Sequence, residues 1–152
     1  MSFLAPNLDY ATMSVFYLWG LGMVPHAIKL IIAHGAQGLF GYNNVTPRTT
    51  QWEKTTVAEH AALMYRLTAC HQNGFEQIGL YGSTIALCKV AGLTTAAMAP
   101  VINMYFVSRI LYTGVYAVHS SWWLTQVRTA LFFGGIGLIG QLLVMAAEKL
   151  NK

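Results

Sequence analysis

Arg66, His71, Gln72, Asn73, Glu76 and Gln77 fall within about three helical turns of an otherwise apolar stretch, "RLTACHQNGFEQIGLYG", residues 66–82. At about 100° per residue, Arg66, Asn73 and Glu76 share roughly an 80° arc, while His71 points toward another face. Farther along, Arg109, Tyr112 and Tyr116 recur at spacings of three and four and again share one face. A charge at bilayer depth costs several kcal/mol unless it is paired or hydrated. Two polar stripes on two apolar helices therefore predict a polar pocket shared between them. Glu76, His71 or a tyrosine there has the chemistry of a general acid or base. The plainer alternative is a buried ion pair in which Arg109 neutralises Glu76, with Tyr112 and Tyr116 packing and bonding to the backbone.

The elements that must carry these stripes follow from composition. Of 152 residues, 55% are hydrophobic and only 9% charged, against about 25% charged in a soluble domain. The mean hydropathy of +0.48 agrees. The chain cannot coat itself with a water-facing surface, so it reads as a single-domain, integral, multi-pass membrane protein. The net charge of +4 is spread thinly, without the basic clusters and interleaved aromatics of a nucleic-acid binder. Cys70 and Cys88 form no paired motif and read as small buried hydrophobes. The histidines at span ends, His26, His34, His60 and His119, read as interface residues and form no metal constellation. Tyr81, Asn103 and Tyr105 read as packing or interfacial groups.

Four helical spans are expected, at roughly residues 10–33, 57–91, 93–118 and 126–147, within one domain covering 1–152. Pro25 is placed to kink the first, and Lys29 lies near enough to its end to snorkel. The first span has no basic region ahead of it and reads as a retained signal-anchor. Trp52, Trp122 and Trp123 suit the membrane interface. No ten-residue alternating blocks support a β-barrel. Lys and Arg nearly balance across the two sides, so orientation is left open.

The motif His71-x-Asn73-x-x-Glu76, with Arg66 five residues before it, resembles the signature of the MAPEG superfamily, membrane-associated proteins of eicosanoid and glutathione metabolism. Arg109-x-x-Tyr112-x-x-x-Tyr116 resembles that family's second motif. "NNVTPR", containing Asn44, Pro47 and Arg48, resembles a first-loop motif of its bacterial-type and fungal-type members, and "VRTALFFGGIG" resembles the start of their last helix, placing Arg128 there. The resemblance implies an all-α, four-helix membrane subunit assembling as a homotrimer, with sites between subunits. It implies glutathione held by Arg66, His71, Asn73, Glu76, Arg109, Tyr112 and Tyr116, with Glu76 facing its amino group. Arg48 or Arg128 would stand at the pocket mouth as the cation that binds a carboxylate or lowers the thiol pKa. Arginines match carboxylates bidentately, a carboxylate matches an ammonium, and a nearby cation raises the thiolate fraction.

The sequence departs from the family pattern at Ala69, where glutathione-using members carry Arg, at Gly79, where Pro is common, and at Gln77, a Tyr in some members. The function implied is a glutathione-dependent transferase or peroxidase acting on a lipophilic electrophile or hydroperoxide. Its catalytic groups would be Arg128, Arg48, Glu76 and His71. The alternatives are a glutathione-independent isomerase or cyclase of a lipophilic metabolite, and a non-catalytic lipid-binding scaffold. The membrane would be the endoplasmic reticulum in a eukaryote or the inner membrane in a bacterium. Expected partners are membrane lipid, a lipophilic small molecule and further copies of the chain.

Overall fold

The computed structural model describes residues 8–38, 50–55, 57–118 and 121–151, and these form four long helices: α1 (Tyr10–Gln37), α2 (Ala61–Val90), α3 (Thr95–Val118) and α4 (Trp122–Leu150). Among the described residues there is no strand. α1 pairs with α2 and α3 with α4, while α1 also touches α3 and α2 touches α4. The result is an all-α four-helix bundle. α1, α3 and α4 are long and apolar enough to cross a membrane. α2 falls short on hydropathy because of its polar stripe. It lies beside α1 from end to end, with Lys89 at the Asp9 end and Met64 packed with Ala33 at the other. Its 30 residues are comparable in length to the 28 of α1.

Local signals set the ends. Asp9 caps α1, its carboxylate accepting from the Thr12 N–H at 3.0 Å and from the Thr12 hydroxyl at 2.8 Å. The same carboxylate takes the Lys89 ammonium at 3.1 Å and the Thr95 hydroxyl, so the start of α1, the end of α2 and the start of α3 meet on one group. The Thr95 hydroxyl foremost, then Thr12 and Lys89, outweigh burial and hold the Asp9 carboxyl well below the usual carboxylate range. α2 closes with a Schellman motif: Leu93 N–H bonds the Cys88 carbonyl and Gly92 N–H bonds the Lys89 carbonyl, both at 3.0 Å. Gly92 has φ 79°, which a side chain resists. Thr94 then caps α3 through the Ala97 N–H at 3.3 Å.

α1 runs through Pro25 without interruption. Its buried stripe is Ala11, Ser14, Leu18, Pro25, Lys29 and Ala33. Lys29 lies on this stripe. Its position on the seam toward α2 leaves it 6% exposed. Trp52, expected at the membrane interface, is covered by the protein itself. It is 3% exposed, packed in a short 3-10 turn (Trp52–Lys54) against Val57, Ala61 and Met64, which cover its ring. α4 begins at Trp122, so Trp122 and Trp123 form its exposed first turn.

The main core lies toward the Asp9 end, where Tyr81 and Tyr105 stack at 4.8 Å among Met98, Ile102, Ile139 and Leu142. Ser14 Oγ donates to the Ala11 carbonyl at 2.6 Å and accepts from the Tyr81 hydroxyl at 2.6 Å, so both buried hydroxyls are satisfied. Cys70 and Cys88 are free and buried, Cys88 donating to the Leu142 carbonyl at 3.3 Å.

Candidate functional site

The two stripes meet. The Asn73 amide on α2 donates to the Tyr112 hydroxyl at 2.9 Å and to the Tyr116 hydroxyl at 3.2 Å on α3. The tyrosine rings lie edge to face, 5.2 Å between centroids. Both hydroxyl oxygens accept from Asn73, so at least one hydroxyl hydrogen remains to donate to a bound acceptor. From α4 the Arg128 guanidinium sits over the Tyr116 ring at 4.7 Å. It makes no hydrogen bond or ion pair among the described residues, so its donors are free for a ligand. These four residues line an open cleft of about 280 Å³ between α2, α3 and α4, walled on the apolar side by Phe132 and Phe133. Thr129 lines it too. Sequence reading passed over Thr129 because an isolated hydroxyl on an apolar helix has no periodic signal; its one sign was adjacency to Arg128.

The other residues of interest surround this cleft at different depths. Arg66 reaches the Ala117 carbonyl at 3.4 Å, one residue past Tyr116, and its Nε is buried without a hydrogen-bond partner. Glu76 is exposed one turn beyond Asn73 and has no hydrogen-bond or ion-pair partner among the described residues. Arg109 lies beneath the cleft, 6% exposed. Its Nη1 donates to Gln77 Oε1 at 2.8 Å, its Nη2 to the Leu131 carbonyl on α4, and its Nε to Ser108 Oγ at 3.3 Å. Tyr105 and Tyr112 flank the guanidinium at 5.3 and 4.9 Å. The Arg109–Glu76 ion pair weighed from the sequence does not form. Gln77, about 100° around α2 from Glu76, turns inward and takes the arginine in its place. Tyr105 donates to the same Gln77 oxygen at 2.9 Å.

His71 turns away from the cleft. Its Nδ1 lies 2.9 Å from the Gly22 carbonyl on α1, and its ring stacks on His26 at 4.9 Å and against Phe75 at 4.6 Å. Within the chain the structure thus gathers Asn73, Tyr112, Tyr116 and Arg128, keeps Arg66 and Glu76 on the same side, separates His71 from them, and sets the Arg109 guanidinium against the Tyr112 ring, its donors engaged by Gln77, Ser108 and Leu131. Arg48 lies outside the described residues, as do Asn44 and Pro47. Ala69 packs against the Cys70–Tyr112–Tyr116 cluster. No group of histidine, cysteine, aspartate or glutamate suited to a metal occurs among the described residues.

Residues 11–147 match the model of the MAPEG family. No curated protein and no solved structure matches the chain.

Proposed function

The chain belongs to the MAPEG family, and from that premise we propose that it is a membrane-bound glutathione-dependent transferase or peroxidase acting on a lipophilic electrophile or hydroperoxide, as a homotrimer. The observation that carries this reading is Arg128 over Tyr116 at 4.7 Å, with its hydrogen-bond donors free, beside two tyrosine hydroxyls held by one asparagine. A cation, phenolic donors and a dry aromatic wall at one cleft suit a thiolate meeting an oily substrate.

The residues present fit the tripeptide's groups. Arg128 and the orphaned Arg66 Nε offer donors to its carboxylates, and the unpartnered Glu76 offers an anion to its ammonium. Asn73 fixes both tyrosines, so whichever hydroxyl hydrogen is free is pre-aimed and needs no reorganisation when sulfur charge develops. Arg128 favours the thiolate by its charge. Phe132 and Phe133 exclude water on the side from which a membrane-dissolved substrate arrives. Glutathione supplies the thiol: its sulfur bonds to the electrophilic carbon while the leaving group departs with the thiol proton, or two thiols reduce a hydroperoxide to alcohol and water as they form a disulfide. Glu76 is exposed on an apolar helix with no partner among the described residues, which is the support for a second copy covering this face of α2.

Ala69 favours a second reading, since an apolar residue packs against the Cys70–Tyr112–Tyr116 cluster where the family resemblance leads one to expect a cation. In that reading Glu76 or a tyrosine serves as acid or base for a glutathione-independent isomerisation or cyclisation, or the cleft presents lipid without turnover. Calorimetric titration of the detergent-purified protein with glutathione separates them, with Glu76→Gln as the control. Saturable binding of one glutathione per subunit, lost in the variant, is expected. Absence of binding at millimolar glutathione would transfer the cleft to the second reading.

A further inference from the structure

A second polar site lies on the α1–α2 seam, on the opposite side of α2 from the tyrosine cleft. Lys29 is 6% exposed, and its ammonium has no hydrogen-bond or ion-pair partner among the described residues. One turn earlier on α1, His26 has a buried Nδ1 that is likewise unpartnered. The His26 ring stacks on His71 at 4.9 Å, and Lys29 follows His26 by three residues on the same face of α1. Three basic groups from two helices thus converge. The chain has five acidic residues, and none serves them. Asp9 holds Lys89, Glu53 accepts from Tyr65, Glu59 pairs with His60, and Glu76 and Glu148 are exposed elsewhere.

Lys29 is largely covered and the buried His26 Nδ1 has no partner, so these basic groups are best satisfied by an anion from outside the chain. Its depth indicates which kind. Lys29 lies about 28 Å along α1 from Tyr10 at about 1.5 Å per residue, close to the full hydrocarbon thickness of about 30 Å. Taking the Asp9–Lys89 pair as one membrane boundary puts Lys29 near the other, within reach of acidic headgroups. Beside it the surface is apolar: Val24, Ile28, Ile31 and Phe75 are exposed at 41, 38, 72 and 36%. Phe75 leans on His71, which joins the oily strip to the basic cluster.

We infer that Lys29, His26 and His71 form a binding site for the anionic head of a single-headed acidic amphiphile, a carboxylate or phosphate, whose acyl chain lies along the exposed α1 strip. The site is separate from the tyrosine cleft and does not depend on glutathione use.

The test titrates the full chain, purified in an uncharged detergent and stripped of lipid, with oleate, methyl oleate, dioleoylphosphatidylglycerol and dioleoylphosphatidylcholine. Saturable binding of an acidic ligand is expected, with the uncharged or zwitterionic counterpart at least about tenfold weaker, as for loss of a charge-assisted hydrogen bond. Oleate alone would identify the head as a carboxylate, and phosphatidylglycerol alone as a phosphate. Lys29→Met should weaken the acid by about the same factor, and Lys29→Arg should retain it. Lys149→Met, an exposed lysine at the end of α4, should bind as wild type. The inference is overturned if neither acid binds, if methyl oleate or phosphatidylcholine binds as tightly, or if a folded Lys29→Met chain keeps full affinity. The methyl oleate comparison uses only the wild-type chain, so it stands even if that variant fails to fold.

Discussion

Gly135→Ala isolates what Arg109 does for the bundle. A Cβ at position 135 would come within 2.8 Å of the Arg109 Cζ and 3.2 Å of its Nε. A guanidinium on a free side chain would swing aside at little cost. This one is pinned by Gln77, Ser108 and the Leu131 carbonyl and flanked by two tyrosines. Making room for the methyl means giving up one or both of its stronger bonds, each worth about 1.5–3 kcal/mol for a charged donor. Alanine in place of glycine returns about 1 kcal/mol of helix propensity. The net expectation is a loss of about 1–4 kcal/mol, or on the order of 3–15 °C in melting temperature for a chain of this size. Gly134→Ala and Gly137→Ala provide the contrast, because no atom lies within 4 Å of a Cβ at either position. They should leave stability unchanged or raise it by up to about 1 kcal/mol. The assay is thermal melting of the purified protein in one detergent, with the three variants side by side. Adding Arg109→Gln to Gly135→Ala should cost much less than the two separate losses combined, since both remove the same bonds. A Gly135→Ala chain as stable as Gly134→Ala would refute the reasoning.

Other variants probe other contacts. Asn73→Ala removes both amide bonds to Tyr112 and Tyr116 and should cost about 1–2 kcal/mol in the same melting assay, while weakening glutathione binding measured by calorimetry. Arg128→Ala should weaken glutathione binding about tenfold or more and alter the melting temperature little, because its one contact is a cation–π pair worth about 0.5–1 kcal/mol. Asp9→Ala should destabilise the bundle by about 1 kcal/mol through loss of the cap. Because the folded carboxyl titrates below its ordinary value of 3.8, its contribution is complete above that pH and lost as pH falls through the lowered folded value. The melting difference between wild type and Asp9→Ala should therefore be constant near neutrality and narrow only below about pH 4.

The four-helix architecture was legible because each long apolar run announces itself, and α2 was legible despite its polarity because its polar residues repeat at helical spacing. The alignment of Asn73 with Tyr112 and Tyr116 followed from two stripes needing each other. Arg128 was reached only through resemblance, since a lone arginine on α4 carries no periodicity. The partner of Arg109 was not legible. Glu76 and Gln77 are neighbours in sequence, charge argued for the glutamate, and only the rotational setting of α2 brings the glutamine inward. Nor was the burial of Lys29, because lysines near span ends ordinarily reach for water. Its place on the Ala11–Ser14–Leu18–Pro25–Ala33 seam was visible, but that seam is built from small and polar residues and does not look like a core face. The packing of Trp52 was not legible either: the 3-10 turn that buries it has no hydrophobic period.

The Asp9 carboxylate has a consequence for the order of assembly. Its bond to Thr95 spans 86 residues and its bond to Lys89 spans 80. During synthesis α1 enters the bilayer with its first turn capped by Thr12 alone. The cap gains its second partner when α2 is complete and its third only once α3 begins. Each helix satisfies its own backbone on insertion, so what remains is docking, and contacts of long separation close late. Asp9 therefore acts as a latch that shuts after three helices are present, before α4 delivers Arg128 to the cleft. A chain arrested ahead of Thr95 would hold a paired α1–α2 hairpin with a half-filled latch, and the last helix would join a framework already fixed at one end.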